Sequence, residues 1–134
     1  MKVRLITLLT AFACTAATAQ VTLTDAQIDS AFAKADVDNN GSVGLSEAKR
    51  FGLTVDTFRK ADPDRHAALH KKEFAAAIGY QFAWANADRD GTLDWKEASM
   101  AGVRSKQTFD AVDPDHHGTI DLAGYLAALV AQAK

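Results

Sequence analysis

Residues 36–47 read DVDNNGSVGLSE and place oxygen-bearing side chains at fixed positions of a short loop. At positions 1, 3, 5 and 12 stand Asp36, Asp38, Asn40 and Glu47. Gly41 at position 6 permits the left-handed backbone of a sharp turn, and Ser42 at position 7 would offer its carbonyl oxygen. Because calcium takes roughly six to eight oxygen ligands, this order of residue types predicts a calcium-binding loop between two helices.

Three further acid-rich loops follow this segment at near-regular spacing. The four loops begin at residues 36, 62, 86 and 113, so the steps are 26, 24 and 27 residues. We number them loop 1 (36–47), loop 2 (62–73), loop 3 (86–97) and loop 4 (113–124). Loops 1 and 3 follow a Phe-Ala-x-Ala segment, whereas loops 2 and 4 both begin Asp-Pro-Asp-x-His. A duplicated two-loop unit explains this alternation and predicts two domains, residues 21–78 and 79–134.

Loop 3 repeats the ligand pattern of loop 1 with one departure. Its candidate ligands are Asn86, Asp88, Asp90, Thr92, Asp94 and Glu97. Asn86 places a neutral amide oxygen where loop 1 has the carboxylate of Asp36, but four carboxylates remain. We therefore expect loop 3 to bind calcium as loop 1 does.

Loops 2 and 4 keep only part of the pattern. Their weaker candidate ligands are Asp62, Asp64 and Glu73 in loop 2, and Asp113, Asp115 and Asp121 in loop 4. Loop 2 has His66 at position 5 and Ala67 at position 6, where an imidazole nitrogen suits calcium poorly and a left-handed alanine costs about 1 kcal/mol or more. Loop 4 has Gly124 where a bidentate glutamate would stand. We expect weak binding or none in loop 2 and a mostly empty loop 4.

With these four loops the sequence resembles the EF-hand superfamily, in the four-hand arrangement of calmodulin-like and exported bacterial calcium-binding proteins. The resemblance covers residues 20–134, and the motif of loop 1 is its most specific part. It implies an all-α fold of two lobes of paired EF-hands, with a short antiparallel β contact between the loops of each lobe and Ca²⁺ as the ligand. It implies no particular partner, so an unidentified protein partner stays open.

Position 8 of each loop supports this resemblance, because EF-hands pair through an apolar residue there. The four residues are Val43, Leu69, Leu93 and Ile120, all branched and apolar. We expect Val43 to face Leu69 within the first pair. The stretch from Lys71 to Ala85 reads as one helix that joins the two lobes, although Gly79 stands in its middle.

The first residues have a different character from the rest. Lys2 and Arg4 precede an apolar run, and a small-x-small cleavage pattern ends at Ala19. Residues 1–19 therefore read as a signal peptide of an exported, periplasmic or secreted protein. The run is far shorter than the roughly 20 residues that span a bilayer. A lipid anchor at Cys14 is the alternative, and bulky Phe12 before it fits that alternative poorly.

The composition narrows the classes of function. A net charge of −2 gives no basic face for nucleic acid. The sequence contains none of the common nucleophile, phosphate-loop or zinc-protease motifs, so we expect no enzyme activity. All four histidines, which are His66, His70, His116 and His117, lie in loops 2 and 4. Two alternatives to calcium binding follow: a transition-metal site in these loops, or an interaction domain that uses its hands without metal.

Overall fold

The computed structural model describes residues 23–133, in which short helices alternate with four two-residue strands. In chain order the elements are α1 (Asp25–Ala35), β1 (Val43–Gly44), α2 (Leu45–Phe51), α3 (Val55–Ala61), β2 (Ala68–Leu69), α4 (Lys71–Ala85), β3 (Leu93–Asp94), α5 (Trp95–Met100), α6 (Lys106–Ala111), β4 (Thr119–Ile120) and α7 (Leu122–Gln132). Each of the four loops lies between two helices. The expected all-α fold class is confirmed, with four helix–loop–helix units joined in two pairs.

Short antiparallel contacts join the loops in the expected register. Strand β1 pairs with β2, which sets Val43 opposite Leu69. Strand β3 pairs with β4, which sets Leu93 opposite Ile120. All four of these side chains are buried. The apolar position 8 therefore connects loop 1 to loop 2 and loop 3 to loop 4.

Two helices show why this sequence folds as it does locally. Thr24 caps α1 through a reciprocal pair of bonds, in which each of Thr24 and Gln27 accepts the other's backbone N–H. Helix α4 runs from Lys71 to Ala85 without a break, as the sequence predicted, and Gly79 is accommodated inside it. Its buried residues, among them Phe74 and Ile78, face the other helices.

The two pairs of units pack on one another and share a hydrophobic core. Helix α7 lies against α1, α2 and α4, so the last helix of the chain contacts the first half. Phe74 of α4 lies between the rings of Phe32 and Phe51, at centroid distances of 5.6 and 5.3 Å. Phe82 and Tyr125 make a further aromatic contact at 5.8 Å. The boundary predicted between residues 78 and 79 falls inside α4, and the division into two domains stays a prediction.

The expectations about the start of the chain fall outside the described residues. The signal peptide of residues 1–19 and the alternative lipid anchor at Cys14 both belong to the segment before residue 23. Within residues 23–133, no helix has the length and apolar character needed to cross a membrane.

Candidate metal centre

The backbone of loop 1 folds around the carboxylate of Asp36. Asp36 is only 6% exposed, and its two oxygens accept the backbone N–H groups of Asn40 and Gly41 at 3.1 and 2.9 Å. The chain curls because Asn39 and Gly41 take left-handed φ angles of 56° and 88°. Glycine and asparagine accept this conformation more readily than other residues. The sharp turn thus sets position 1 inside the loop.

Loop 1 gathers three carboxylates around one point. Asp36, Asp38 and Glu47 each offer an oxygen, and these oxygens lie within 4.8 Å of one another. Two oxygens that share a calcium ion at about 2.4 Å each lie at most about 5 Å apart, so this spacing suits the ion. Glu47 Oε1 also accepts the backbone N–H of Gly44 at 2.9 Å, which fixes the side chain at the start of α2.

The two remaining candidates of loop 1, Asn40 and Ser42, lie beside this cluster. Asn40 donates its side-chain N–H to Asp38 Oδ2 at 3.1 Å. Asn40 Oδ1 in turn accepts the backbone N–H of Ser42 at 3.0 Å. The amide oxygen and the three carboxylates therefore belong to one small network.

Loop 2 gathers its carboxylates as closely as loop 1 despite its altered residues. Oxygens of Asp62, Asp64 and Glu73 also lie within 4.8 Å of one another. Asp62 is 5% exposed and accepts the backbone N–H groups of His66 and Ala67 at 3.1 and 2.8 Å. Ala67 takes the left-handed φ of 62° that the sequence pattern requires, at the energetic cost expected for alanine. The strain at Ala67 thus leaves the shape of the loop intact.

The two histidines of loop 2 lie against its carboxylates. His66 Nδ1 is 3.1 Å from Asp64 Oδ2. His70 Nδ1 is 3.4 Å from Glu73 Oε1, and Glu73 Oε1 also accepts the His70 backbone N–H at 2.9 Å. The acidic cluster of loop 2 is therefore bordered by two imidazole nitrogens, which loops 1 and 3 lack.

Loop 3 differs at position 1, and the reason is chemical. The position-1 aspartates of loops 1, 2 and 4 each use two oxygens to accept the N–H groups of positions 5 and 6. Asn86 has one oxygen and an amide nitrogen that cannot accept. Its Oδ1 is buried and receives no hydrogen bond from residues 23–133. Leaving such an acceptor unpaired costs about 1–3 kcal/mol, which a cation bound to the oxygen would offset.

The other candidates of loop 3 accept backbone N–H groups much as their counterparts in loop 1 do. Glu97 is 8% exposed, and its two oxygens accept the N–H groups of Asp94 and Ala87 at 3.0 Å each. Asp90 Oδ1 accepts the backbone N–H and the hydroxyl of Thr92, at 2.9 and 3.0 Å. Within the described residues, loops 1 and 2 bring the carboxylates of positions 1, 3 and 12 together, and loop 3 has no such trio because its position 1 is Asn86.

Loop 4 keeps the turn but has no side chain at position 12. Asp113 accepts the N–H groups of His117 and Gly118 at 3.3 and 2.9 Å. Asp121 Oδ1 accepts the N–H of Gly124 at 2.8 Å and caps α7. A Cβ added to Gly124 would lie 3.1 Å from the Cβ of Ile120, which is tighter than usual. Loop 4 is thus packed closely around its glycine at position 12. His117 Nδ1 lies 3.1 Å from Asp115 Oδ2, the same contact as in loop 2.

Electrostatic crowding is visible at position 3 of loops 1 and 3. Partial desolvation raises the pKa of Asp38, and a hydrogen bond to Asp36 and the charges of Glu47 and Asp36 raise it further. Partial desolvation also raises the pKa of Asp88, together with the neighbouring charge of Asp90. Like charges held together in this way are destabilised, and a bound divalent cation would relieve the repulsion.

The donor chemistry of loops 1 and 3 fits calcium. Both sets consist of oxygen atoms alone, and loop 3 adds the unpaired buried oxygen of Asn86.

Gln81 was missed by the sequence reasoning although it is fully buried. Its signal was present: a glutamine three residues after Ile78 and four before Ala85 stands on a helical face that is otherwise apolar.

Comparisons with known proteins add little to this geometry. The chain matches no protein-family profile and no curated protein. Among solved structures it is similar to a homolog of programmed cell death 6 protein from Leishmania major Friedlin, with 20% identity over 74% of this chain and 68% of that chain. The TM-score of this match is 0.33.

Proposed function

We propose that this protein binds calcium through loops 1 and 3 and does so outside the cytoplasm. One observation carries the proposal: Asp36, Asp38 and Glu47 converge to within 4.8 Å at the positions that the motif of loop 1 assigns to ligands. The unpaired Oδ1 of Asn86 supports loop 3 as the second site. Loop 2, whose carboxylates also converge, is the third-ranked site because histidine replaces an oxygen ligand.

A calcium titration of the chelator-treated protein tests this proposal. We expect calorimetry to show two calcium sites. Their dissociation constants should lie near roughly 10⁻⁴–10⁻³ M, because extracellular modules bind calcium in that range. We also expect calcium to raise the melting temperature, since the ion binds the folded state. A third site that disappears in Glu73→Gln would place calcium in loop 2 as well. No calcium heat and no change in melting would contradict the proposal and favour a metal-independent interaction domain.

Two further features support the proposed location and role of the protein. The order of basic, apolar and small residues in 1–19 supports export. Mass spectrometry of the exported protein should then give the mass of a chain that begins at Gln20. The calcium would serve sensing, buffering or the stabilisation of an interaction module. Tyr80 and Trp84, one turn apart on α4, are 40% and 61% exposed and favour a module that contacts a protein partner.

Loop 2 supports a second candidate function, which is binding of a transition metal. His66 and His70 place imidazole nitrogens 3.1 and 3.4 Å from the carboxylates of Asp64 and Glu73. Mixed nitrogen and oxygen donors suit zinc, copper or nickel better than they suit calcium. The described structure holds this combination together with the converging Asp62.

Zinc calorimetry of the calcium-loaded protein decides this second candidate. We expect one zinc site that is lost in the double variant His66→Ala/His70→Ala. The matched control is His117→Ala in loop 4, because His117 contacts Asp115 at the same 3.1 Å but lacks a glutamate at position 12. If the wild type shows no heat of zinc binding, or if the heat persists in the loop 2 double variant, loop 2 is not a zinc site.

A further inference from the structure

The turns that follow α2 and α5 touch backbone to backbone, and both glycines at this contact are half-buried. Gly52 ends α2, and Gly102 comes two residues after the end of α5. A Cβ built on Gly102 would overlap the carbonyl oxygen of Gly52. Both glycines have positive φ angles, 124° and 102°. This contact, which we call the glycine junction, leaves no room for a side chain at Gly102.

Gln81 of α4 ties the glycine junction together with hydrogen bonds. Its Oε1 accepts the N–H of Thr54 at 2.8 Å, and this donor fixes the orientation of the amide. Its Nε2 donates to the carbonyl oxygens of Gly52 and Ala101 at 2.7 and 2.6 Å. The hydroxyl of Tyr125 lies 3.0 Å from Nε2 and donates to Ala101 at 2.6 Å. Gln81 is fully buried, so no water competes for these bonds.

The glycine junction lies one short helix away from each of the two proposed calcium sites. Glu47 stands in the first turn of α2, which ends next to Gly52. Glu97 stands in the first turn of α5, which ends next to Ala101. The helices have seven and six residues, so each separates its glutamate from the junction by about 10 Å or less. A short helix transmits a movement of its first turn to its last.

The strand contacts offer no equivalent route between the same sites. Strand β1 connects loop 1 to loop 2, and β3 connects loop 3 to loop 4. In residues 23–133 no strand pair joins loop 1 to loop 3. A signal between these two loops has two routes, one through loop 2 and α4 and one through the ends of α2 and α5, which meet at the glycine junction.

We propose that Gln81 is a positioning residue that couples loop 1 to loop 3, so that a calcium ion in one loop raises the calcium affinity of the other. The inference rests on the proposed calcium binding. Glu47 and Glu97 would each hold an ion at the first turn of their helices, and a bound ion would restrict the orientation of α2 or α5. Because the backbones of Gly52 and Gly102 touch, restricting the position of α2 would also restrict the position of α5. The second ion would then bind a loop that is already ordered. Such coupling is reciprocal, so each loop affects the other by the same factor.

A double-mutant cycle on the full chain tests this coupling. Calcium binding at loop 1 is followed through the amide of Gly41 by NMR, in the wild type and in Glu97→Gln, which weakens loop 3. We expect Glu97→Gln to weaken calcium binding at loop 1 by about tenfold, within the usual range of allosteric coupling. Gln81→Met keeps the side-chain length but removes every hydrogen bond. The calcium affinity of loop 1 should therefore differ by less than about twofold between the single variant Gln81→Met and the double variant Gln81→Met/Glu97→Gln.

Two control variants separate coupling from stability. Ile78→Ala removes a buried side chain from the same helix, one turn from Gln81, and should lower the melting temperature without reducing the coupling. If Gln81→Met does not fold, Gln132→Ala replaces it, because Gln132 bonds Gly102 and Arg104 at the edge of the junction. That variant should reduce the coupling in part.

The outcomes distinguish this inference from the proposed function. If Gly41 shows no response to calcium, the calcium function itself fails. If loop 1 binds calcium with the same affinity in the wild type and Glu97→Gln, the loops are independent and the coupling is wrong. If Glu97→Gln weakens loop 1 equally in the presence of Gln81→Met, or if Ile78→Ala abolishes the coupling as well, Gln81 does not carry it.

Discussion

Replacing Gly102 with alanine is expected to lower the free energy of unfolding by about 3–5 kcal/mol. Two effects add. The φ angle of 102° is a conformation that an L side chain adopts at a cost of about 1–2 kcal/mol. The new Cβ would also overlap the carbonyl oxygen of Gly52, and this neighbour is backbone that cannot turn away. The melting temperature should fall by about 10–20 °C, as measured by circular dichroism.

Gly79→Ala is the matched control for Gly102→Ala. Gly79 lies inside α4, and a Cβ there would meet no neighbouring atom within 4 Å. Alanine also favours the helix over glycine by about 0.5–1 kcal/mol, so this variant should melt slightly higher than the wild type. If Gly102→Ala melts as high as Gly79→Ala, the glycine junction does not have the close contact described above.

The pairing of the loops could be predicted because a motif of fixed length sets it. Position 8 has the same place in each twelve-residue loop, so Val43 and Leu69 were expected to face each other, and they do. The length of α4 was also predictable, since its apolar residues continue from Phe74 to Ala85 with helical spacing. The pairing follows from the repeat of the loop motif, and the length of α4 follows from residues that are close in sequence.

The glycine junction could not be predicted in this way. Gln81 bonds Gly52 and Ala101, which lie 29 and 20 residues away in the sequence. No motif fixes such a distance, because it depends on how the two halves pack. The glutamine on an apolar helical face indicates only that some buried polar partner exists. Gly102 in turn reads like an ordinary helix end until Gly52 lies against it.

The ranking of the candidate sites could be predicted only in part from composition. Composition ranked loop 3 above loop 2, because loop 3 has more carboxylates and a glycine at position 6. The structure shows that loop 2 gathers Asp62, Asp64 and Glu73 as closely as loop 1 gathers its three carboxylates, whereas loop 3 has Asn86 at the first of these positions. The residue type at positions 1, 3 and 12 therefore decides whether three carboxylates meet, and the total number of acidic residues in the loop does not.

Glu47→Gln is expected to weaken calcium binding at loop 1 by roughly a hundredfold, equal to about 2.7 kcal/mol. The carboxylate offers two oxygens and a negative charge to the ion, and the amide retains one oxygen and no charge. The fold itself should survive. The amide oxygen can still accept the Gly44 N–H that caps α2, a bond of 2.9 Å in the wild type. The variant therefore separates the ligand role of Glu47 from its capping role.

Melting curves with and without calcium measure this separation. At a calcium concentration of 100 times Kd, one site stabilises the fold by about 2.7 kcal/mol, and a hundredfold weaker site stabilises it by only about 0.4 kcal/mol. Without calcium, Glu47→Gln and the wild type should melt within a few degrees of each other. The neighbouring exposed Ser46→Ala should keep the full calcium response. An equal calcium-induced rise in Glu47→Gln and Ser46→Ala would show that Glu47 caps its helix but does not ligate the ion.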